Sequence, residues 1–292
     1  MKSASILYQL RENSPIQMMS YVVQTKSGEL FVVDGGNTED AEYLLQFLCR
    51  IQAGQPTITV WFLTHPHADH INAFIKIMER CSDQVRIDTL YYHFPEREFI
   101  AMYENSDVYT IDAFQALNLK YKMKTVIVQE GDCLRFQDVS FDVLYTTDNA
   151  FTVNAINNSS TVLRMNTGGC KVLFLGDLGM EAGDKLLGTQ RDTLHAEVVQ
   201  MAHHGQSGVE KSVYESVCPS LCLWPTPQWL WDNNQGKGSG TGPWKTQKVR
   251  NWMADIGVKQ HLVTKDGTGW VAFSQGAISF GTVSDDFNME EL

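Results

Sequence analysis

The sequence predicts an α/β protein in which two β-sheets pack face to face with helices on their outer sides. Two observations carry this: a hairpin, helix, strand cadence occurs twice, and each time the last strand runs into histidines. The first cadence has strand-like residues 21–25 (YVVQT), a KSGE turn, strand-like residues 30–34 (LFVVD), a helix-like stretch 38–51 and an apolar strand 57–63 ending in THPHADH. The second has residues 161–165 (TVLRM), a turn over 166–170, residues 171–175 (KVLFL), a helix around 180–187 and a strand 196–202 ending in HHG. Each hairpin closes on an acid beside glycine, DGG or GD. β-branched and aromatic runs bounded by turn residues read as strands. Each element must bury its apolar face, so two related halves set against each other give a layered sandwich, with a site where strand ends meet.

The remaining elements fit around this frame. Residues 91–124 separate the halves and include helix-spaced 111–121, which predicts a partly helical insertion at about 92–124 lying over or beside the site. Residues 125–145 read as further short strands, 244–255 as a helix, and 260–264 and 270–273 as strands about a Lys265-Asp266-Gly267 turn. No Gly/Ser/Pro-rich tract marks a linker, so residues 1–292 are taken as a single domain.

Composition narrows the function. A formal net charge of -11 argues against strong nucleic-acid binding, which rests on clustered Lys and Arg. The start, MKSASILYQLRENSP, has no apolar run of secretory length, and no membrane-spanning run occurs elsewhere, so a cytoplasmic protein without membrane partners is expected. The six cysteines are dispersed and read as buried, reduced thiols.

The chemistry is concentrated in His65-Pro66-His67-Ala68-Asp69-His70. In an extended segment His65 and His67 point the same way and can grip one metal, while a following turn lets Asp69 and His70 reach a second. Imidazole and carboxylate donors suit zinc, with two ions expected, and Fe or Mn also fit. A loop of solvated histidines would not need this compression.

THPHADH resembles the H-x-H-x-D-H signature of the metallo-β-lactamase superfamily. That resemblance covers roughly residues 21–280 and implies a four-layer αββα metallo-β-lactamase sandwich. It implies that Asp34 supports the metal-binding loop from behind and that Asp177, in LFLGDLG, bridges the two metals. From the HHG-bearing members it assigns His204 to metal and His203 to the substrate or leaving-group side. His93, His195 and His261 lie outside the pattern.

One departure stands out. Many members carry a further histidine ligand before the bridging acid, yet no histidine lies between His93 and His195. Asn157-Asn158-Ser159-Ser160 occupies that region, and Asn157 or Asn158 is expected to take the place of the missing ligand or act on substrate. The N-x-x-S-x-V-L pattern, with LFLGD and HHG, is similar to the branch holding the C-terminal domains of competence channels and the phosphorylcholine esterases. The competence branch often has Asp where this chain has His67, and a later His-Pro pair where it has Gly242-Pro243-Trp244.

Four of seven tryptophans lie at Trp224, Trp229, Trp231 and Trp244, around GKGSGTG. Trp229 and Trp231 are read as a mobile substrate loop that stacks on a base or cages a cation; packing against the body is the plain alternative. These features together predict a hydrolase of small-molecule or phosphoester substrates, in which the metals lower the pKa of water toward ~7 and Asp69 orients it. Ser207 and Lys211 are possible aids to anion binding. Opening of another ester, a lactone or a β-lactam on the same site is one alternative. A di-iron redox protein or a non-catalytic metal-binding module is the other.

Overall fold

The computed structural model describes residues 4–283. Strands β1 (Ser5–Gln9), β2 (Ser20–Gln24), β3 (Leu30–Asp34), β4 (Thr57–Leu63), β5 (Arg86–Ile87), β6 (Leu90–Tyr92) and β7 (Thr125–Ile127) come from the first half of the chain. The second half supplies β8 (Cys133–Arg135), β9 (Val139–Tyr145), β10 (Val162–Thr167), β11 (Cys170–Phe174), β12 (Val198–Gln200), β13 (Leu221–Trp224), β14 (Gln260–Val263), β15 (Thr268–Ser274) and β16 (Ala277–Val283). One sheet runs β16-β15-β1-β2-β3-β4-β6-β7, with β5 beside β4, and the other runs β14-β13-β12-β11-β10-β9-β8. The final hairpin crosses over to cover the edge of the first sheet at β1.

The repeated cadence is structural. The antiparallel hairpin β2–β3 is followed by β4 in parallel register, and β10–β11 by β12 in parallel register. Between each hairpin and its parallel strand lies a crossover helix, α1 (Ala41–Ile51) in the first half and, after α2 (Ala68–Cys81), α3 (Arg97–Tyr103) and α4 (Val108–Tyr121), α5 (Met180–Gln190) in the second. Parallel neighbours need such a crossover. Helices α6 (Lys211–Val217), α7 (Gln228–Trp231) and α8 (Thr246–Ile256) complete the outer layer of the second sheet.

Three apolar clusters define four layers. Leu7, Tyr21, Phe31 and Phe62 of the first sheet meet Phe141, Leu163, Phe174 and Leu223 of the second in the central cluster. The other face of the first sheet packs against α1, α2 and α4, and that of the second against α5, α6 and α8. Helix α2 shows why it folds where it does: Ile71, Phe74, Ile75 and Met78 form one buried stripe at helical spacing. Trp61 of β4 is fully buried edge-on to Phe74 and donates its indole N–H to the carbonyl of Asp34 at 2.9 Å, which ties α2 to the end of β3. The region 92–124 is helical as α3 and α4, whose Ile100, Ile111, Phe114 and Leu117 join the cluster over α2.

Two expectations change. Only Cys170 and Cys222 are buried; Cys133 and Cys218 are exposed and Cys49 and Cys81 intermediate, because four of the six fall at element ends and helix flanks. The strand expected over 196–202 stops at Gln200, since Ala202–Gly205 curls into a tight turn. Among the described residues no helix is long and apolar enough to cross a membrane.

Candidate metal centre

The site forms where β3, β4, β11 and β12 end. After β4 the chain stays extended through His67 and then enters α2, so Asp69 and His70 sit in a helical first turn and not in the expected open turn. A carboxylate in that position is favoured by the helix dipole. The loop after β3 is clasped onto this helix: the Gly36 N–H donates to the His70 carbonyl at 3.2 Å and the Ala73 N–H to the Gly36 carbonyl at 2.9 Å. Gly36 has φ 96, and a Cβ there would crowd Asp40 at 3.0 Å, so this close approach requires glycine.

Asp34 stands behind the loop. It adopts φ 57, a costly conformation for a residue with a side chain, which the surrounding bonds hold in place. Its Oδ1 accepts the Thr64 N–H at 2.8 Å, and its Oδ2 accepts both the Thr64 hydroxyl and His70 Nδ1–H at 2.8 Å. Thr64 Oγ1 is therefore an acceptor for His65 Nδ1–H at 3.1 Å, and Ser160 Oγ lies 3.2 Å from the same nitrogen.

On the facing half, the turn after β12 holds three consecutive left-handed residues, His203 (φ 51), His204 (φ 54) and Gly205 (φ 76). Gly205 fits because Trp224 fills the space a Cβ would take, 2.4 Å away. This curl turns His204 fully inward and leaves His203 at the rim with 23% of its side chain exposed. His204 Nδ1–H goes to the Pro225 carbonyl at 3.1 Å and His203 Nδ1–H to the Ser207 carbonyl at 3.2 Å.

With every Nδ1 of His65, His70, His203 and His204 engaged by protein, each Nε2 is turned to one point. Asp177 Oδ2 lies 3.9 Å from His65 Nε2, 3.3 Å from His70 Nε2, 3.4 Å from His204 Nε2 and 3.9 Å from His203 Nε2. Asp69 Oδ2 is 3.2 Å from His204 Nε2, and His67 Nδ1 is 3.0 Å from His65 Nε2. His70 Nε2, His204 Nε2 and Asp177 Oδ1 are buried without a hydrogen-bond partner. Buried polar atoms left this way are costly, and a cation between them would satisfy all three at once. The donor set, imidazoles and carboxylates without thiolate, fits zinc and also iron or manganese. The residues form two overlapping groups, His65, His70 and Asp177 in one and Asp69, His70 and His204 in the other.

Electrostatics agree. Burial alone would raise the carboxyl of Asp177, but His70 and His204 outweigh it and hold it well below the usual range; Asp69 is likewise held low against burial by His204 and His70. Burial alone would lower His204, yet Asp177 and Asp69 raise it to about 9. His70 is raised too, since Asp177 and Asp34 outweigh its burial, while burial leads in lowering His65 and His203. A histidine raised above its unfolded value near 6.5 contributes stability that is complete below that pH and is lost as pH rises through its folded value. Chelator-stripped protein should therefore lose melting temperature between pH 6.5 and 9, and zinc-loaded protein should not, because metal replaces the protons. Calorimetry of both forms checks this, and a rise in the stripped form across that window would contradict it.

Several sequence expectations move. Asn158 is fully buried, but its amide nitrogen goes to the Val153 carbonyl at 2.9 Å and to Glu181 at 3.1 Å, and its oxygen lies 3.4 Å from the Ala182 N–H. It fastens the start of α5, so it does not replace the missing histidine. Asn157 donates to Asn154 and keeps a buried Oδ1 without a partner. Trp229 and Trp231 do not form a joint cage. Trp231 packs edge-on to Trp224 beneath the Arg250 guanidinium, 4.2 Å from its ring centre, whereas Trp229 pairs with Trp244 and donates its N–H to the Pro15 carbonyl. The glycine-rich loop between them is pinned, with the Gly236 and Gly238 N–H groups on Asn234 Oδ1. Lys211 is paired with Asp255 and Glu215, so its charge is committed elsewhere. His93, His195 and His261 bond to Val128, Val217 and Trp224, outside the cluster.

Two further side chains shape the centre. Buried Gln200 accepts the Leu175 and Gly176 N–H groups and donates back to the Gly176 carbonyl, which fixes the turn that carries Asp177. Ser160 accepts the Asp177 N–H at 3.0 Å. Polar residues at the ends of apolar strands were the available signal for both.

An αββα sandwich with a buried imidazole and carboxylate cluster at the strand ends defines a metal-dependent hydrolase fold. The chain belongs to the metallo-beta-lactamase superfamily, whose pattern it matches over residues 14–205. It is 36% identical over 81 residues to ComE operon protein 3 of Bacillus subtilis (strain 168), a stretch covering 28% of this chain and 10% of that protein. The metallo-beta-lactamase fold protein YhfI from Bacillus subtilis superposes with a TM-score of 0.55 at 12% identity, covering 95% of this chain and 100% of that one. CmlA, a diiron beta-hydroxylase from Streptomyces venezuelae, gives 0.52 at 12% identity over 90% of this chain and 54% of its own. At these identities the structural likenesses speak for the fold alone.

Proposed function

We propose that the protein is a phosphoesterase with a dinuclear zinc centre, acting on a small-molecule phosphoester. The observation that supports this most is the single oxygen of Asp177 shared by imidazoles of both halves, with Asp69 and His67 on either side of it. His65, His67 and Asp177 would hold one ion, and Asp69, His70, His204 and Asp177 the other. Two ions held there would supply Lewis acidity, lowering the pKa of a water and neutralising the negative charge that develops on the phosphoryl and leaving oxygens. Asp69, hydrogen-bonded by Gln17 at 3.4 Å, orients that water. His203, partly exposed at the rim, would face the leaving group and carry its proton. The net charge of -11 suits a small substrate better than a nucleic-acid strand. Cytoplasmic location is part of this reading.

The deciding experiment loads chelator-stripped protein with zinc, manganese or iron and measures turnover of bis(p-nitrophenyl) phosphate, p-nitrophenyl phosphorylcholine, a lactone and a chromogenic β-lactam. Phosphoester hydrolysis that needs metal and exceeds the others is the expected result. Turnover confined to lactone or β-lactam would overturn the substrate assignment, and iron-dependent oxidation would overturn the hydrolytic one.

A further inference from the structure

His67 differs from the other histidines of the site in which nitrogen it presents. The Nδ1–H of His65 is spoken for by Thr64, so His65 Nε2 carries a lone pair. His67 Nδ1 sits 3.0 Å from that lone pair. For both nitrogens to hold one cation, the proton of His67 must reside on Nε2, on the far side of its ring. A neutral imidazole chooses its tautomer by what its second nitrogen can donate to.

The group facing that nitrogen comes from the insertion. Glu104, between α3 and the short turn before α4, places Oε2 3.8 Å from His67 Nε2, a distance that one bridging water or a small side-chain rotation closes. Asp107 stands in the same cluster. Both are carboxylates, able only to accept when ionised. Glu104 is also anchored: its Oε2 accepts the Ile156 N–H at 3.2 Å, beside the turn that stands where the further histidine is missing.

We infer that Glu104 is a positioning residue for His67: it takes the Nε2 proton so that Nδ1 faces the metal, and it joins the insertion to the side of the centre that lacks a histidine ligand. The insertion thereby completes the metal site. This rests on the dinuclear reading above. Elsewhere, carboxylates behind metal-binding histidines orient the ring and raise its basicity, and their loss costs ~10–100-fold in metal affinity.

Metal affinity of the full chain, measured by zinc titration against a chromophoric chelator, and the visible spectrum of the cobalt-substituted protein test it. Glu104→Ala should weaken one of two ions by ~10–100-fold and shift the cobalt bands of that ion alone. Glu104→Gln, which still accepts a hydrogen bond, should restore most of the affinity. In a His67→Ala background, Glu104→Ala should cause no further loss. Wild-type affinity and spectrum in Glu104→Ala would sink the inference, and so would an equal loss in the His67→Ala background, which would reduce Glu104 to a tether for residues 155–157. A wild-type protein that binds no metal would instead overturn the dinuclear reading on which the inference stands.

Discussion

Asp177→Asn should lose both ions and nearly all turnover. The substitution keeps the volume of the side chain and the Ser160 and Gln200 contacts, which are made to backbone groups, so the turn survives. What it removes is the one negative charge within 4 Å of four imidazole nitrogens. An amide in that place presents one weak oxygen donor and an N–H that cannot face a cation. His70 retains Asp34 and His204 retains Asp69, so the apoprotein stays folded. The expected loss in kcat is at least on the order of 10²–10³-fold, the scale seen when a single group that stabilises transition-state charge is deleted. Elemental analysis after dialysis and phosphodiester turnover read it out, with the melting temperature as the control for folding. An Asp177→Asn protein carrying two ions with undiminished turnover would disprove a shared carboxylate.

How much of this the sequence reveals depends on the scale of the interaction. The hairpins, α1 and the parallel strands β4 and β12 announce themselves because a buried strand or helix stripe is written in consecutive residues, as LFVVD, TITVWFL and Leu44, Leu45, Leu48 show. Asp69 and His70 are legible as part of the compact THPHADH motif, and Asp34 and Asp177 only through the resemblance that motif carries, since an acid beside glycine after a strand is otherwise an ordinary turn. Helix α2 is harder to read although Ile71, Phe74, Ile75 and Met78 carry helical spacing, because its first turn is the metal-binding stretch Ala68-Asp69-His70, whose polar residues break the apolar stripe. The place of β1 in its sheet is hidden for a different reason: besides its neighbour β2 it pairs with β15, more than two hundred residues away in sequence, and the β15–β16 hairpin joins the sheet only through that pairing. The same non-locality hides Glu104, which meets His67 across 37 positions, and Gln200, which meets Gly176 across 24. Trp231 misled because aromatic composition states an amount of apolar surface and not its direction; Arg250, nineteen residues on, occupies the ring face that a ligand would need.

His203→Ala and His204→Ala should part company, although the residues are adjacent and share the left-handed curl. His204 has no exposed surface, an Nε2 without a hydrogen-bond partner, and two carboxylates within 3.4 Å, the surroundings of a metal-binding nitrogen. Its loss should remove the ion held with Asp69 and His70. His203 is farther from Asp177, at 3.9 Å, and open to the rim, where the proposed reading puts the leaving group. Its loss should leave two ions in place and slow the chemical step by about 10²–10⁴-fold, the usual contribution of a general acid or base. The slowing should depend on the leaving group, severe for an alkyl phosphoester and slight for a p-nitrophenyl one, since a leaving group that departs readily as an anion does not need the proton. Metal stoichiometry and kcat on a matched pair of esters decide between the roles. Equal loss of metal in both variants would make His203 a ligand, and a leaving-group-independent rate loss in His203→Ala would remove it from proton transfer to the departing oxygen.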